Sequence, residues 1–212
     1  METKQHVYNL IILDESGSMN SIKNTIISGF NEVVQTVKGV AAKFPEQAHF
    51  ISLVSFNGLG INTHLSCASV DKLEEIDGNK YRPGSSTPLF DAMGEGIAKL
   101  RQTTDTISNC NVLVTILTDG MENASKEYNK AAIKALVDEL GEKNWTFTYI
   151  GADHDIESFA ESISIKNTMR FEKNPASMRR MFANEMRSRV SYSQKIREGK
   201  STKENFYSED SE

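Results

Sequence analysis

The chain has 212 residues, 38% hydrophobic and 25% charged, enough for one ample core and short for two domains. Its net charge of −5 argues against nucleic acid as the main partner. Met1–His6 runs straight into an apolar stretch with no room for a signal-peptide core, and no segment reaches transmembrane length, so neither export nor a membrane is expected.

Val7–Leu13 is an apolar run of the kind that lies inside a parallel sheet, buried on both faces. It ends abruptly in Asp14-Glu15-Ser16-Gly17-Ser18. A carboxylate and two hydroxyls at the carboxyl edge of a sheet are hard oxygen donors, suited to a divalent cation such as Mg²⁺. The same residue types are good helix N-caps, and this stretch alone leaves both readings open.

Ile22, Ile26, Phe30, Val33, Val34 and Val37 recur at helical spacing, which predicts a helix over about Ser21–Lys38. Phe50–Phe56 is the next strand, Asn57–Gly60 a turn, and Ile61–Cys67 its antiparallel partner at an edge. His64 within it reads as a surface strand residue. Val70–Ile76 is a short helical return. Tyr81–Thr87 is a loop, followed by a helix with Leu89, Met93, Ile97 and Leu100 inward and Pro88 at its first position. Thr87 there is well placed to act as an N-cap.

Asn111–Leu117 is the most apolar strand, and it too ends at a carboxylate, in Thr118-Asp119-Gly120-Met121-Glu122-Asn123. A helix over about Lys126–Leu140 follows, with Gly141 as its cap. Trp145–Ile150 is a strand, Ile156, Phe159 and Ile163 mark a short helix, and Ile165–Phe171 is the last strand. The final helix starts near Pro175, with Met178, Met181, Phe182, Met186 and Val190 on its buried face. Arg179, Arg180, Arg187 and Arg189 form a solvated face. Residues 193–212 read as a polar, mobile tail behind a single domain over 1–192. The two cysteines, Cys67 and Cys110, have no metal-type spacing and read as reduced thiols, too far apart to bridge, in a cytoplasmic protein.

The alternation of strand and helix predicts an α/β fold: a doubly wound, mostly parallel six-stranded sheet with one antiparallel edge strand and helices on both faces. Three loops then meet at one edge, carrying Asp14, Ser16 and Ser18, then Thr87, then Asp119. In these motifs the chain resembles the von Willebrand factor type A domain family, from about Val7 to Val190. Asp14-Glu15-Ser16-Gly17-Ser18 matches its Asp-x-Ser-x-Ser motif, Thr87 its isolated threonine and Asp119 its final aspartate; together these form the family's metal-ion-dependent adhesion site, MIDAS. The Thr-Pro-Leu-x-Asp-Ala stretch at Thr87 is similar to that of stand-alone bacterial members.

The resemblance implies a Rossmann-like fold and a site in which Ser16, Ser18 and Thr87 are hydroxyl ligands. Asp14 and Asp119 would hold the metal largely through bound water, and Glu15 would lie on the rim. The implied cation is Mg²⁺, with Mn²⁺ or Ca²⁺ as alternatives. The implied function is a protein-binding module, not an enzyme, whose metal captures an Asp or Glu carboxylate of a partner protein. By family analogy the setting would be a bacterial stress-response or tellurite-resistance-like complex.

The alternative is a Mg²⁺-dependent hydrolase or phosphoryl-transfer enzyme. It would need a base beside the metal and a phosphate cradle, and the sequence has no Gly-x-x-x-x-Gly-Lys-Ser/Thr and no Gly-x-Ser-x-Gly. His6 and His49 fall near strand starts, at the wrong edge. His154, in Asp153-His154-Asp155, is at the right edge, where these residues read as caps for the next helix.

Overall fold

The computed structural model describes residues 4–152, 155–203 and 205–207. Among these, β1 (Gln5–Asp14), β2 (Gln47–Asn57), β3 (Gly60–Ser69), β4 (Cys110–Leu117), β5 (Trp145–Ala152) and β6 (Asn167–Phe171) form one sheet, ordered β3-β2-β1-β4-β5-β6. Every pairing is parallel except that of the edge strand β3 with β2. The architecture is the doubly wound one expected.

Helices α1 (Lys23–Lys43) and α5 (Pro175–Arg197) cover one face, and α2 (Leu89–Thr104), α3 (Lys130–Gly141) and α4 (Ile156–Glu161) the other. Strand β1 shows why its sequence is apolar without a break: it is flanked on both sides and buried from Val7 to Asp14. Leu10 and Ile12 enter the core under α2 and α3, while Ile11 and Leu13 enter the core under α1 and α5. The two helices of the second core approach closely at Gly29, where any Cβ would overlap the Phe182 ring.

Several element boundaries differ from expectation, each for a local reason. A 3₁₀ turn, Gly17–Ile22, precedes α1, which then runs on to Lys43. Only Val70–Lys72 of the expected return is helical, because Asn31 of α1 ties down Ile76: it accepts from the Ile76 N–H at 2.8 Å and donates to the Ile76 carbonyl at 3.0 Å. Helix α3 starts at Lys130 rather than Lys126. Asp91 accepts the N–H groups of Lys126, Glu127 and Tyr128 at 2.8–2.9 Å, so those donors are already engaged in a loop, and Asn129 caps the helix from the Ala132 N–H. Gly141 is the last residue of that helix, not its cap.

The face of α5 is the largest correction. Its buried residues include Glu185, Ser188 and Arg189, whereas Met186 and Val190 are only half-buried. Arg189 is 3% exposed. Its guanidinium donates to Asn9 Oδ1 at 3.0 Å and Thr115 Oγ1 at 2.8 Å, on the underside of β1 and β4, and pairs with Glu185 at 2.8 Å. Arg179, Arg180 and Arg187 are exposed, as expected of the polar face.

The boundary expected at residue 192 falls inside α5. Residues 204 and 208–212 of the expected tail lie outside the described residues. Of the rest, Phe206 is buried beside Tyr192 and Ile196, its N–H donates to Asn167 Oδ1 at 3.0 Å, and Tyr207 donates to Glu185 at 2.7 Å. Cys67 and Cys110 are free thiols, on the edge strand and at the start of β4, three strand positions apart. At about 4.8 Å per strand no disulfide could span that distance.

Candidate metal centre

The strand order places a switch point between β1 and β4. Crossovers from this pair run to opposite sides of the sheet, so the loops at their carboxyl ends part and leave a crevice. Asp14 is the last residue of β1, and Asp119 comes two residues after β4 ends. Thr87 arrives on the loop before α2, and backbone bonds sew that loop to the first: Gly84 N–H to the Glu15 carbonyl at 2.8 Å, and Gly17 N–H to the Ser85 carbonyl at 2.9 Å. From the other side Asn123 grips Thr87 twice, accepting its N–H at 2.9 Å and donating its own N–H to the Thr87 carbonyl at 3.1 Å.

The five candidate residues therefore stand together. A Cβ built on Gly120 would lie 3.0 Å from Thr87 Oγ1, 3.3 Å from Ser18 Oγ and 3.4 Å from Ser16 Oγ, so three hydroxyls converge on one small space that a side chain there would crowd. Ser16 Oγ and Ser18 Oγ are 3.1 Å apart, and Ser18 donates to Asp119 Oδ1 at 2.5 Å. Asp14 is fully buried; its Oδ1 accepts the Ser16 N–H at 2.6 Å and its Oδ2 the Thr118 hydroxyl at 2.6 Å. Burial pushes the Asp14 carboxyl up to about 6, against the pull of the Thr118 and Ser16 hydrogen bonds, and nearby Asp119 adds to the rise. Tyr81 is buried beneath and donates to the Asp14 carbonyl at 2.7 Å.

The capping roles open to these hydroxyls are not taken up. Ser16 stands at the start of the 3₁₀ turn without a side-chain cap bond, and the cap position of α2 is Pro88, not Thr87. Glu15 accepts the Arg82 N–H at 3.0 Å. Asp119 Oδ2 is buried and receives no directed hydrogen bond among the described residues, but the Lys173 ammonium stands 3.1 Å from it.

Thr118, Asn123 and Lys173 are the participants that sequence reasoning passed over. Thr118 and Asn123 belong to the stretch that signalled Asp119, yet nothing in their spacing says which side chain they hold. Lys173 comes from the far end of the chain and carries no motif. Of the histidines, His6 and His49 lie near the starts of β1 and β2, at the opposite edge. His64 is exposed on β3 with its Nε2 2.8 Å from Ser55 Oγ. Asp153 and His154 lie outside the described residues, while Asp155 caps α4 by accepting the Ser158 N–H at 3.1 Å.

The sequence profile of the von Willebrand factor type A domain matches residues 10–187. The chain belongs to that family. No curated protein matches this type A domain's sequence. Among solved structures it is similar to proximal thread matrix protein 1 from the mussel byssus with a zinc-occupied MIDAS motif, at 13% identity and a TM-score of 0.57, over 88% of this chain and 46% of that one. A second crystal form of the same mussel protein gives 14% identity and a TM-score of 0.53 over the same shares. The SpRpn10 VWA domain matches at 10% identity and a TM-score of 0.53, over 85% of this chain and 94% of that one. The type A domain thus spans about half of the mussel chain, and at these identities the likeness speaks for the fold.

The donor set of this type A domain fits a divalent cation. The three hydroxyls converge, two carboxylates can balance two positive charges, and a buried oxygen of Asp119 already faces a cationic group, the Lys173 ammonium at 3.1 Å. All donors are oxygen, which suits a hard ion.

Proposed function

We propose that this type A domain is a metal-dependent protein-binding module. Asp14, Ser16, Ser18, Thr87 and Asp119 hold one divalent cation, Mg²⁺ with Mn²⁺ or Ca²⁺ as alternatives, and the open coordination position takes an Asp or Glu carboxylate from a partner protein. The observation that carries this reading is the convergence of the Thr87, Ser18 and Ser16 hydroxyls on the space beside Gly120. The zinc-occupied MIDAS of the mussel protein supports the presence of a cation at this edge of the fold. When bound, the cation supplies a Lewis-acidic position for an anionic oxygen.

This chain's residues do the rest. Thr118 and the Ser16 N–H fix both oxygens of Asp14, and Ser18 orients Asp119, so the carboxylates face the site without rearranging. Asn123 holds the Thr87 backbone at a fixed distance from the other hydroxyls. The two ionised carboxylates by themselves balance the charge of a dication, so an incoming carboxylate meets no excess of negative charge from the ligands.

The test is capture of a partner from cell extract with the chain as bait, with Mg²⁺ or with chelator, beside the variants Asp119→Ala and Thr87→Asp. The expected outcome is a partner retained only with Mg²⁺ and lost from both variants. Its interfacial acids, changed singly to amides, should include one whose loss abolishes binding. Retention through chelation and through loss of every interfacial carboxylate would overturn the metal bridge.

A further inference from the structure

Lys173 follows β6 and directly precedes Asn174, the N-cap of α5. A helix N-terminus carries partial positive charge and disfavours a cation beside it. Lys173 nevertheless reaches into the centre: its Nζ stands 3.1 Å from Asp119 Oδ2, and its side chain is 27% exposed against 0% for Asp119. Ser18 occupies Asp119 Oδ1, so Oδ2 is the oxygen that offers itself to a cation, and Lys173 is the cation placed on it.

We propose that Lys173 is a working part of the metal centre, setting both how tightly it holds a divalent cation and what the open position accepts. The proposal rests on the reading of this centre as a divalent-cation site. Two cations drawn to one carboxylate oppose each other, so Lys173 weakens the hold on the metal. Once a dication is bound, the charges of Asp14, Asp119, the metal and Lys173 sum to about +1 rather than zero. A carboxylate gains from that extra charge at close range and a neutral oxygen does not. Lys173 therefore trades metal affinity for preference toward an anionic ligand. It is a specificity-determining residue that acts by charge, and Arg in its place should serve in the same way.

The experiment compares the full chain with Lys173→Met and Lys173→Arg at low ionic strength. Mn²⁺ binding is read by calorimetry, and acetate binding to the Mn²⁺-loaded protein by water-proton relaxation. Near-UV circular dichroism confirms that the folds match. Lys173→Met should bind Mn²⁺ about three- to tenfold tighter and acetate weaker by a similar factor, with both differences shrinking at high salt. Lys173→Arg should resemble the parent. A parent that binds Mn²⁺ while Lys173→Met binds it no tighter overturns the role of Lys173 and leaves the cation site standing. Tighter Mn²⁺ binding by Lys173→Arg equal to that of Lys173→Met overturns the charge argument. If neither the parent nor Lys173→Met binds Mn²⁺, the cation site fails and this proposal with it.

Discussion

Asp14 has both oxygens engaged before any cation is considered, one by the Ser16 N–H and one by the Thr118 hydroxyl. Each oxygen keeps a second lone pair, which suits a carboxylate that meets a metal through bound water. Removing the Thr118 hydroxyl leaves a buried carboxylate short of a donor, a loss of about 1.5–3 kcal/mol for a hydrogen bond to a charged group. Thr118→Val should therefore weaken Mn²⁺ binding about tenfold or more, and Thr118→Ser should restore it; calorimetry on both variants checks this. Equal affinity in Thr118→Val and the parent would show that Asp14 needs no orienting partner. At the opposite edge, burial holds the His49 imidazole down at about 4, against an ordinary value of 6.5. The unfolded chain thus takes up this proton first as pH falls. The stability His49 contributes is present above 6.5 and lost as pH falls through about 4, up to about 3 kcal/mol. Asp14, raised to about 6 from 3.8, has the opposite sign: its contribution is present below 3.8 and lost as pH rises through about 6. The two windows overlap, so the informative quantity is a difference. Urea unfolding from pH 4 to 7.5 should show the parent losing more stability on acidification than His49→Gln, and parallel curves would place no titration at His49.

Helix α5 separates what pattern can reveal from what it cannot. Its first two turns read correctly, because Met178, Met181 and Phe182 are apolar and buried. Beyond them the helix still faces the sheet, but with Glu185, Ser188 and Arg189, which apolar periodicity scores as surface. Two of the partners that make this burial tolerable, Asn9 and Thr115, lie far away in sequence, and the third, Tyr207, comes from the segment after the helix. Losing one member strands the others: Arg189→Met should cost about 3–5 kcal/mol in urea unfolding, while Arg189→Met combined with Glu185→Leu should cost less than the two single changes added together. A cost below about 1 kcal/mol for Arg189→Met would mean that water reaches the pair. The late start of α3 has the same kind of cause, since Asp91, on another helix, draws off the N–H groups of residues 126–128. All six strands were legible, with ends that differ by up to three residues, because continuous apolar runs in a parallel sheet leave little freedom of interpretation for the five parallel strands.

At the scale of the whole molecule, the sheet order decides where chemistry can occur. Placing β1 beside β4 brings the ends of two apolar strands together, and each ends within two residues of an aspartate. The third loop is fastened to both, through Glu15 and Gly17 on one side and Asn123 on the other. The sequence showed the three loops and the order in which they arrive; the fastening of the site depends on contacts between residues from 36 to 104 positions apart, which no local pattern carries. Among the described residues no helix is long and apolar enough to cross a membrane. The central claim is that Asp14, Ser16, Ser18, Thr87 and Asp119 form one divalent-cation site, and calorimetric titration with Mn²⁺ of the parent, Asp14→Ala and Asp119→Ala tests it most directly. The account predicts one Mn²⁺ per chain in the parent, displaced by Mg²⁺, with binding lost in both variants while their circular dichroism is unchanged; undiminished Mn²⁺ affinity in both folded variants would contradict it.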